Sequence, residues 1–181
     1  GAGNALFPIL HEYPSLRCYG VDISKRAVGL VRSRAEFKAY QARCKVWACD
    51  VATCSLPREL EPVDIATLIF VLSAIHPTKI PQALQHVRMK MNKDAVLFVR
   101  DYGIYDLSQI RFGPGSKLGE NLYVRGDGTR TYFFSKEVLG RMLEEAGFAV
   151  AEIVYHRKTI TNAKKDLQMK RTWIQAKATT A

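Results

Sequence analysis

Three carboxylates in this 181-residue chain recur at one kind of place, the end of a short apolar run. Asp22 closes Arg17-Cys18-Tyr19-Gly20-Val21, Asp50 closes Lys45-Val46-Trp47-Ala48-Cys49, and Asp101 follows Val96-Leu97-Phe98-Val99-Arg100. A carboxylate accepts through two oxygens, so it can hold a pair of sugar hydroxyls, an amine, or a positive charge that develops during a reaction. Asp22 lies 19 residues beyond Gly3 of the opening Gly1-Ala2-Gly3-Asn4. A glycine-rich turn followed after about 20 residues by an acid has the spacing of a nucleotide-type site, with backbone close to the ligand at the glycines and the acid on a ribose. The alternative for Asp22 is a turn cap. Asp101 stands between a cation and a ring in Arg100-Asp101-Tyr102-Gly103. Such a trio could orient a substrate and balance its charge, or simply solvate a strand end. Three acids on successive strand ends are hard to explain by solvation alone.

These groups cooperate only if the apolar runs are strands ending at one edge of a sheet. Val96–Val99 is an unbroken apolar run and Val63–Leu72 a longer, mostly apolar one, the mark of strands covered on both faces. Helical segments lie between the strands. Asn4 is expected to cap Ala5–His11, and Ser24 to cap Lys25 to about Arg34. Thr78–Met91 places Ile80, Leu84, Val87 and Met91 at helical spacing, with Pro81 in the first turn, where proline is tolerated. This alternation is the grammar of a doubly wound α/β domain, whose ligands sit beyond the carboxyl ends of the strands. His76, just before Pro77, reads as a structural loop residue. Beyond Gly103 the alternation breaks, and residues 104–134 read as an insertion on the substrate side. Within it, Asn121–Arg125 and Thr129–Phe134 flank Gly126-Asp127-Gly128, a strong hairpin signal. Arg125 and Arg130 beside Tyr123 and Tyr132 suit phosphate contact with base stacking, the alternative being an ordinary flap. Ser135 is expected to cap Lys136–Ala146, with Gly147 closing the helix. Phe148–Tyr155 and Arg171–Ala176 read as a final strand pair around a basic loop, Arg157 to Lys170.

Composition narrows the partners. Net charge is +10, and from Ala151 to Ala181 seven Lys/Arg face two acids, half of the whole excess. That balance points to a polyanion, most often nucleic acid, although a solvated basic tail would also produce it. Hydrophobic residues make up 48%, enough for a core in one domain over 1–181. No apolar run is long enough to cross a membrane as a helix, and no signal-peptide pattern opens the chain. Four cysteines in this length suggest a reducing compartment rather than a disulfide framework. Cys44, Cys49 and Cys54 are evenly spaced, but with no CxxC and no His among them they read as ordinary buried thiols, and no metal site is expected.

Several blocks together resemble the class I S-adenosylmethionine-dependent methyltransferases, and more closely the methyltransferase-like proteins that make 3-methylcytidine in tRNA. They are Gly1-Ala2-Gly3-Asn4-Ala5-Leu6-Phe7-Pro8, Cys44-Lys45-Val46 with Cys49-Asp50, Leu68 to Pro77, Phe98 to Asp106, and Lys117 to Asn121 continuing through Val124–Arg130 to Tyr132-Phe133-Phe134. The first block is generic, and the last two are specific to the narrower group. The resemblance implies a Rossmann-like class I methyltransferase fold: a mostly parallel sheet with helices on both faces, an antiparallel C-terminal strand pair and an inserted β-hairpin. The family pattern strand-Gly-x-Gly-x-Gly-Asn is entered here at its second glycine, so the first strand, the first glycine and an upstream aromatic segment are expected to be missing from this chain.

S-adenosylmethionine is the implied cofactor. Asp22 would hold its ribose, Asp50 and Val51 would contact the adenine, Ile69 would pack nearby, and Gly1 and Gly3 would let backbone approach the methionine end. The implied substrate is ring nitrogen 3 of a cytidine in the anticodon-loop region of tRNA. Neutral cytosine carries a free lone pair there, so no strong base is required, only positioning and stabilisation of the charge that forms. Asp101 is the candidate for that charge, with Arg100 and Tyr102 orienting or stacking the base. Lys117, Arg125 and Arg130 would meet RNA phosphates. The implied partners are tRNA and a protein such as a tRNA synthetase, with no membrane, in the cytoplasm. No Asn/Asp-Pro-Pro-Tyr follows the Val63–Leu72 run, which argues against methylation of an exocyclic amine. Competing readings are an RNA-binding adaptor with a degenerate methyltransferase fold and a small-molecule methyltransferase. The charge and the Arg/Tyr hairpin disfavour the second. A nicotinamide dehydrogenase is disfavoured by Asn4 where a further glycine is usual.

Overall fold

The computed structural model describes residues 1–162 and 167–180, in two compact units, Gly1–Glu61 and Pro62–Ala181. In the first unit α1 (Leu6–Glu12), β1 (Cys18–Asp22), α2 (Lys25–Ser33), α3 (Ala35–Tyr40) and β2 (Cys44–Ala48) follow in order. The two strands pair in parallel, from Cys18 opposite Cys44 to Asp22 opposite Ala48. Their ends are tied where the Cys49 N–H donates to the Asp22 carbonyl at 3.0 Å. Phe7 and Leu10, Val28 and Val31 lie three apart on their helices, and Cys44 and Val46 two apart on their strand; these one-faced pairs make the core. Ser24 caps α2 as expected, its Oγ accepting from Ala27 N at 3.2 Å. Asn4 does not cap α1. Ala5 is the N-cap residue and makes no side-chain bond, while Phe7 N donates to Gly3 O at 3.1 Å, so the glycine turn itself starts the helix. Cys54 is exposed, and only Cys44 of the evenly spaced three is fully buried, which corrects the reading of three buried thiols.

The second unit runs β3 (Val63–Ile69), two 3₁₀ turns (Leu72–Ala74 and Pro77–Lys79), α4 (Ile80–Arg88), β4 (Met91–Tyr102), α5 (Leu107–Ile110), β5 (Lys117–Gly119), β6 (Leu122–Val124), β7 (Arg130–Tyr132), α6 (Lys136–Glu145), β8 (Phe148–Asn162) and β9 (Leu167–Thr180). One sheet has the order β3-β4-β9-β8, parallel between β3 and β4 and antiparallel beyond. The other is β5-β6-β7, containing the expected hairpin, with Gly128 at φ +81° in its turn. The two meet where Phe134 N donates to Tyr102 O at 2.9 Å and Ile104 N to Phe134 O at 3.0 Å, which hangs the hairpin on the end of β4. Two sequence expectations are corrected. The apolar runs of β3 and β4 are buried on one face only: Leu68, Leu97 and Val99 are in the core, whereas Ile65, Ile69 and Phe98 are 57%, 46% and 42% exposed. The basic stretch 157–170 is not a loop for most of its length, because β8 runs to Asn162 and β9 starts at Leu167, pairing Arg157 with Thr172 and Lys158 with Arg171. Alternating Thr and long side chains carry β structure without an apolar signal. Lys164 and Lys165 lie outside the described residues.

Candidate functional site

In the first unit the glycine turn and the acid come together. The Gly1 amino group bonds Asp22 Oδ2, and Asp22 Oδ1 accepts from Ser24 N at 2.8 Å. Gly3 has φ +89°, and a Cβ there would lie 2.4 Å from the Phe7 ring, so neither the backbone nor the space admits a side chain. Arg34 braces this turn, donating to Ala2 O at 3.1 Å with its guanidinium 4.6 Å from the Phe7 ring centre. Asp50 follows β2, and its oxygens are engaged in its own turn, Oδ1 by Ala52 N at 3.0 Å and Oδ2 by Thr53 Oγ1 at 2.9 Å. Asp50 therefore shapes the loop that presents the half-buried Val51. Gly1, Gly3 and Asp22 converge, with Asp50 and Val51 on the next strand end. Ile69 belongs to the second unit, exposed at the end of β3 and in register with Arg100.

The second unit separates the Arg100-Asp101-Tyr102 trio. Successive side chains of a strand point to opposite faces, so Arg100 and Tyr102 share one side of β4 and Asp101 takes the other. Asp101 is completely buried, with Oδ2 accepting from Ser73 N at 3.0 Å and Oδ1 from Tyr102 N at 2.9 Å. Burial pushes its carboxyl above the usual range, against the pull of the Ser73 and Tyr102 bonds. The expectation that Asp101 faces a substrate is corrected: it pins the 3₁₀ turn Leu72–Ala74 to β4. His76 is likewise structural, pairing Nδ1 with Thr78 Oγ1 at 2.8 Å.

Tyr102 sits among rings and cations. Its ring centre is 5.0 Å from Phe70 and 5.7 Å from Phe133, with the guanidiniums of Arg125 and Arg171 at 5.3 and 6.0 Å. Sheet register lines up Tyr102, Trp173 and His156 across β4, β9 and β8. Trp173 stacks with His156 at 5.8 Å and 9°, and carries Arg100 at 4.7 Å and Arg171 at 5.5 Å. Arg171 is held from below by Asp106, completely buried, whose Oδ2 accepts from Arg171 Nε at 3.0 Å and Thr172 N at 2.7 Å. Asp106 Oδ1 accepts from Ser108 N at 2.9 Å. Burial alone would raise this carboxyl, but the Arg171 guanidinium and the bonds from Ser108 and Thr172 outweigh it and hold the group below the usual carboxylate range.

Of the three cations assigned to RNA, only Arg125 joins this cluster, its Nε donating to the buried Thr131 Oγ1 at 2.6 Å. Lys117 and Arg130 are exposed on β5 and β7. Sequence reasoning missed Asp106, His156, Arg171 and Trp173 as a group. The alternation Arg171-x-Trp173 was visible, but its register against Tyr102 was not. Rings and fixed guanidiniums at a strand end can stack a planar base and hold its phosphate. Among the described residues no three His, Cys, Asp or Glu side chains converge as a metal would require.

A family model described as "Methyltransferase domain" matches residues 1–153. The chain is 41% identical over 179 residues to the tRNA N(3)-cytidine methyltransferase METTL6 of Pongo abelii, covering 98% of this chain and 63% of that protein. It is also 41% identical over 180 residues to the tRNA(Thr) (cytosine(32)-N(3))-methyltransferase of Saccharomyces cerevisiae, covering 97% of this chain and 29% of that one. The chain thus spans less than two thirds of the length of either relative. Among solved structures, a S-adenosylmethionine-dependent methyltransferase from Clostridium acetobutylicum matches with a TM-score of 0.71 at 11% identity, over 100% of this chain and 81% of that chain. That likeness shows the fold to be the Rossmann-like α/β class expected from the sequence.

Proposed function

This chain belongs to the methyltransferase-domain family, and from that premise we propose that it methylates ring nitrogen 3 of a cytidine in the anticodon-loop region of tRNA, with both units as parts of one catalytic domain. The observation that carries the substrate side is the Tyr102 ring at the last residue of β4, with the Arg125 and Arg171 guanidiniums 5.3 and 6.0 Å from its centre. Its support from likeness is identity, spread over nearly the whole chain, to relatives named for this reaction.

The residues of the first unit fit S-adenosylmethionine. The Gly3 turn is closed to any Cβ, leaving backbone exposed at the start of α1, and the Asp22 carboxylate stands beside it. In this proposal Asp22 takes the ribose hydroxyls, Gly1 and Gly3 present backbone to the methionine end, and the Asp50 turn with Val51 borders the adenine; Ile69 is proposed as an apolar neighbour. When bound, the cofactor supplies a methyl on a sulfonium, which leaves as a neutral thioether.

The chain's own work is to orient and hold. Tyr102 would stack the cytosine and leave its ring-nitrogen lone pair free for the methyl that the cofactor would supply, positioning being a large source of rate in such a transfer. Transfer would form a carbon–nitrogen bond on the base and break the carbon–sulfur bond, whose electron pair would stay on sulfur. The base becomes cationic, and the π face of Tyr102 favours that cation over the neutral ring. Arg125 and Arg171 hold the phosphates on either side, Arg100 braces Trp173, and Asp101 acts through the backbone of Tyr102 rather than on the base. Lys117 and Arg130 are proposed as outer phosphate contacts. The proposal includes a cytoplasmic location, which four cysteines without disulfide spacing support.

The test is nucleoside mass spectrometry on tRNA from cells with and without the gene, followed by methyl transfer to purified tRNA by the full-length protein. The transfer assay is run with and without a candidate tRNA synthetase, because the proposal extends to such a partner. Loss of 3-methylcytidine alone is expected. Unchanged 3-methylcytidine, with no transfer in either assay, would overturn the assignment.

A further inference from the structure

The segment 104–134 borders an open recess of which the mechanism above uses only Lys117, at the rim. It is a cavity of about 550 Å³, within the usual size range of small-ligand sites, walled by Tyr105, Gln109, Ile110, Phe112, Lys117 and Tyr123. Its back is rigid. Phe112 and Tyr123 stack at 4.7 Å and 15°, and both meet the edge of the buried Phe133, at 77° and 80°. Its mouth is apolar and wet, with Tyr105 76% and Ile110 68% exposed. Large apolar side chains left in water around a recess are the kind of surface that marks a binding site. Gln109 is spent on holding the mouth open: Oε1 accepts from Tyr105 N at 2.6 Å, and Nε2 donates to Asn121 Oδ1 at 3.0 Å. Among the described residues the charge in the lining is Lys117, placed opposite Tyr123 in the β5–β6 register, and no carboxylate lines the cavity.

A ring wall with one cation at its rim suits a planar ring that carries an anion, which is the chemistry of a nucleotide. The position narrows this further. Phe133 touches both the cavity wall and Tyr102, the latter at 5.7 Å between ring centres. The cavity and the proposed methylation site therefore lean on one buried ring, as two neighbouring positions of a single RNA strand would require.

We propose that this cavity takes the unpaired base of a nucleotide flanking the methylated cytidine, with its phosphate on Lys117. The proposal rests on the RNA methyltransferase reading. It adds that the chain reads a second, stacked nucleotide, so that an open loop rather than a lone cytidine is the substrate. Base-on-aromatic stacking is sequence-tolerant because every base has a π face. The cavity therefore selects for an unpaired neighbour more than for its identity.

The experiment is an abasic scan. The full-length protein is given anticodon stem-loop RNAs in which each loop nucleotide other than the target is made abasic in turn, and KM and kcat are read separately. One flanking abasic position is expected to raise KM about tenfold, the loss of one stacked base, with kcat little changed. In Tyr123→Leu, and independently in the exposed Tyr105→Ala, the intact RNA is expected to show a raised KM. The same abasic position should then add little, because the two changes remove one interaction. A scan that is flat across all flanking positions with wild-type protein overturns the proposal, as does full additivity of the abasic and protein changes. The scan with wild-type protein needs no variant, so a folding defect in Tyr123→Leu does not blunt it. Failure of the parent reading looks different: no RNA in the series, intact or abasic, is methylated.

Discussion

Replacing Asp106 by Asn keeps the shape of the side chain and removes its charge. The structure sets the cost. Oδ2 receives Arg171 Nε at 3.0 Å and Thr172 N at 2.7 Å, while Oδ1 receives Ser108 N at 2.9 Å and Ser108 Oγ at 2.5 Å. An amide has only one accepting oxygen. Whichever way it turns, its NH₂ group confronts N–H donors on one side, and one or two buried donors lose their partner. Each orphaned buried donor costs roughly 1–3 kcal/mol, so about 2–4 kcal/mol is expected, near the lower range for breaking one side of a buried ion pair because Arg171 retains some solvent contact. For a chain of this length each kcal/mol moves the melting temperature by about 2–4 °C, so Asp106→Asn should melt roughly 10 °C below wild type at pH 7, measured by circular dichroism. The pH dependence has a definite sign. The folded carboxyl lies below its ordinary value of 3.8, so the fold favours the charged form. Its contribution is complete above the unfolded value and is lost as pH falls through the lowered folded one. The gap between wild type and variant should therefore be the same at pH 7 and pH 5.5 and narrow only in strong acid. A variant melting within about 2 °C of wild type at pH 7 would refute the view that this carboxylate organises the end of β4.

Two further outcomes follow from the first unit. Gly3→Ala forces a side chain onto a left-handed backbone and into the Phe7 ring 2.4 Å away, and should cost about 2 kcal/mol or more in urea unfolding. Gly29→Ala, in the middle of α2 with open space around it, should instead stabilise by about 0.5–1 kcal/mol; equal effects at the two glycines would contradict the turn geometry. Burial pushes the Cys44 thiol up to about 11, so iodoacetamide at pH 8 should label the exposed Cys54 well before Cys44 in the native protein. Equal labelling rates by mass spectrometry would show that the core around Cys44 is open.

The alternation of apolar runs and helical segments was enough to place most of the strands and helices, because hydrophobic period and capping residues such as Ser24 and Ser135 are local properties. The same is true of the hairpin, whose Asp127-Gly128 turn is dictated by residues that tolerate its backbone. The Gly1–Gly3 turn and Asp22 stand at the two ends of one α1–β1 stretch, so their spacing too is a local property. The placement of Asp101 was legible as well, since period two on a strand puts it on the face opposite Arg100 and Tyr102. What no local pattern contains is register between distant strands and the identity of the face that helices cover. Trp173 stands beside Tyr102, and Asp106 beneath Arg171, only because β9 pairs antiparallel with β4 across about 70 residues of chain. Apolar runs in β3 and β4 could not say that Ile65 and Phe98 would remain exposed while Leu97 and Val99 were buried. The sequence alone determined which elements form and which residue types are offered at their ends. The tertiary structure decided which of those residues meet, because side-chain chemistry acts over a few ångströms and only folding brings positions so far apart in the chain within that reach.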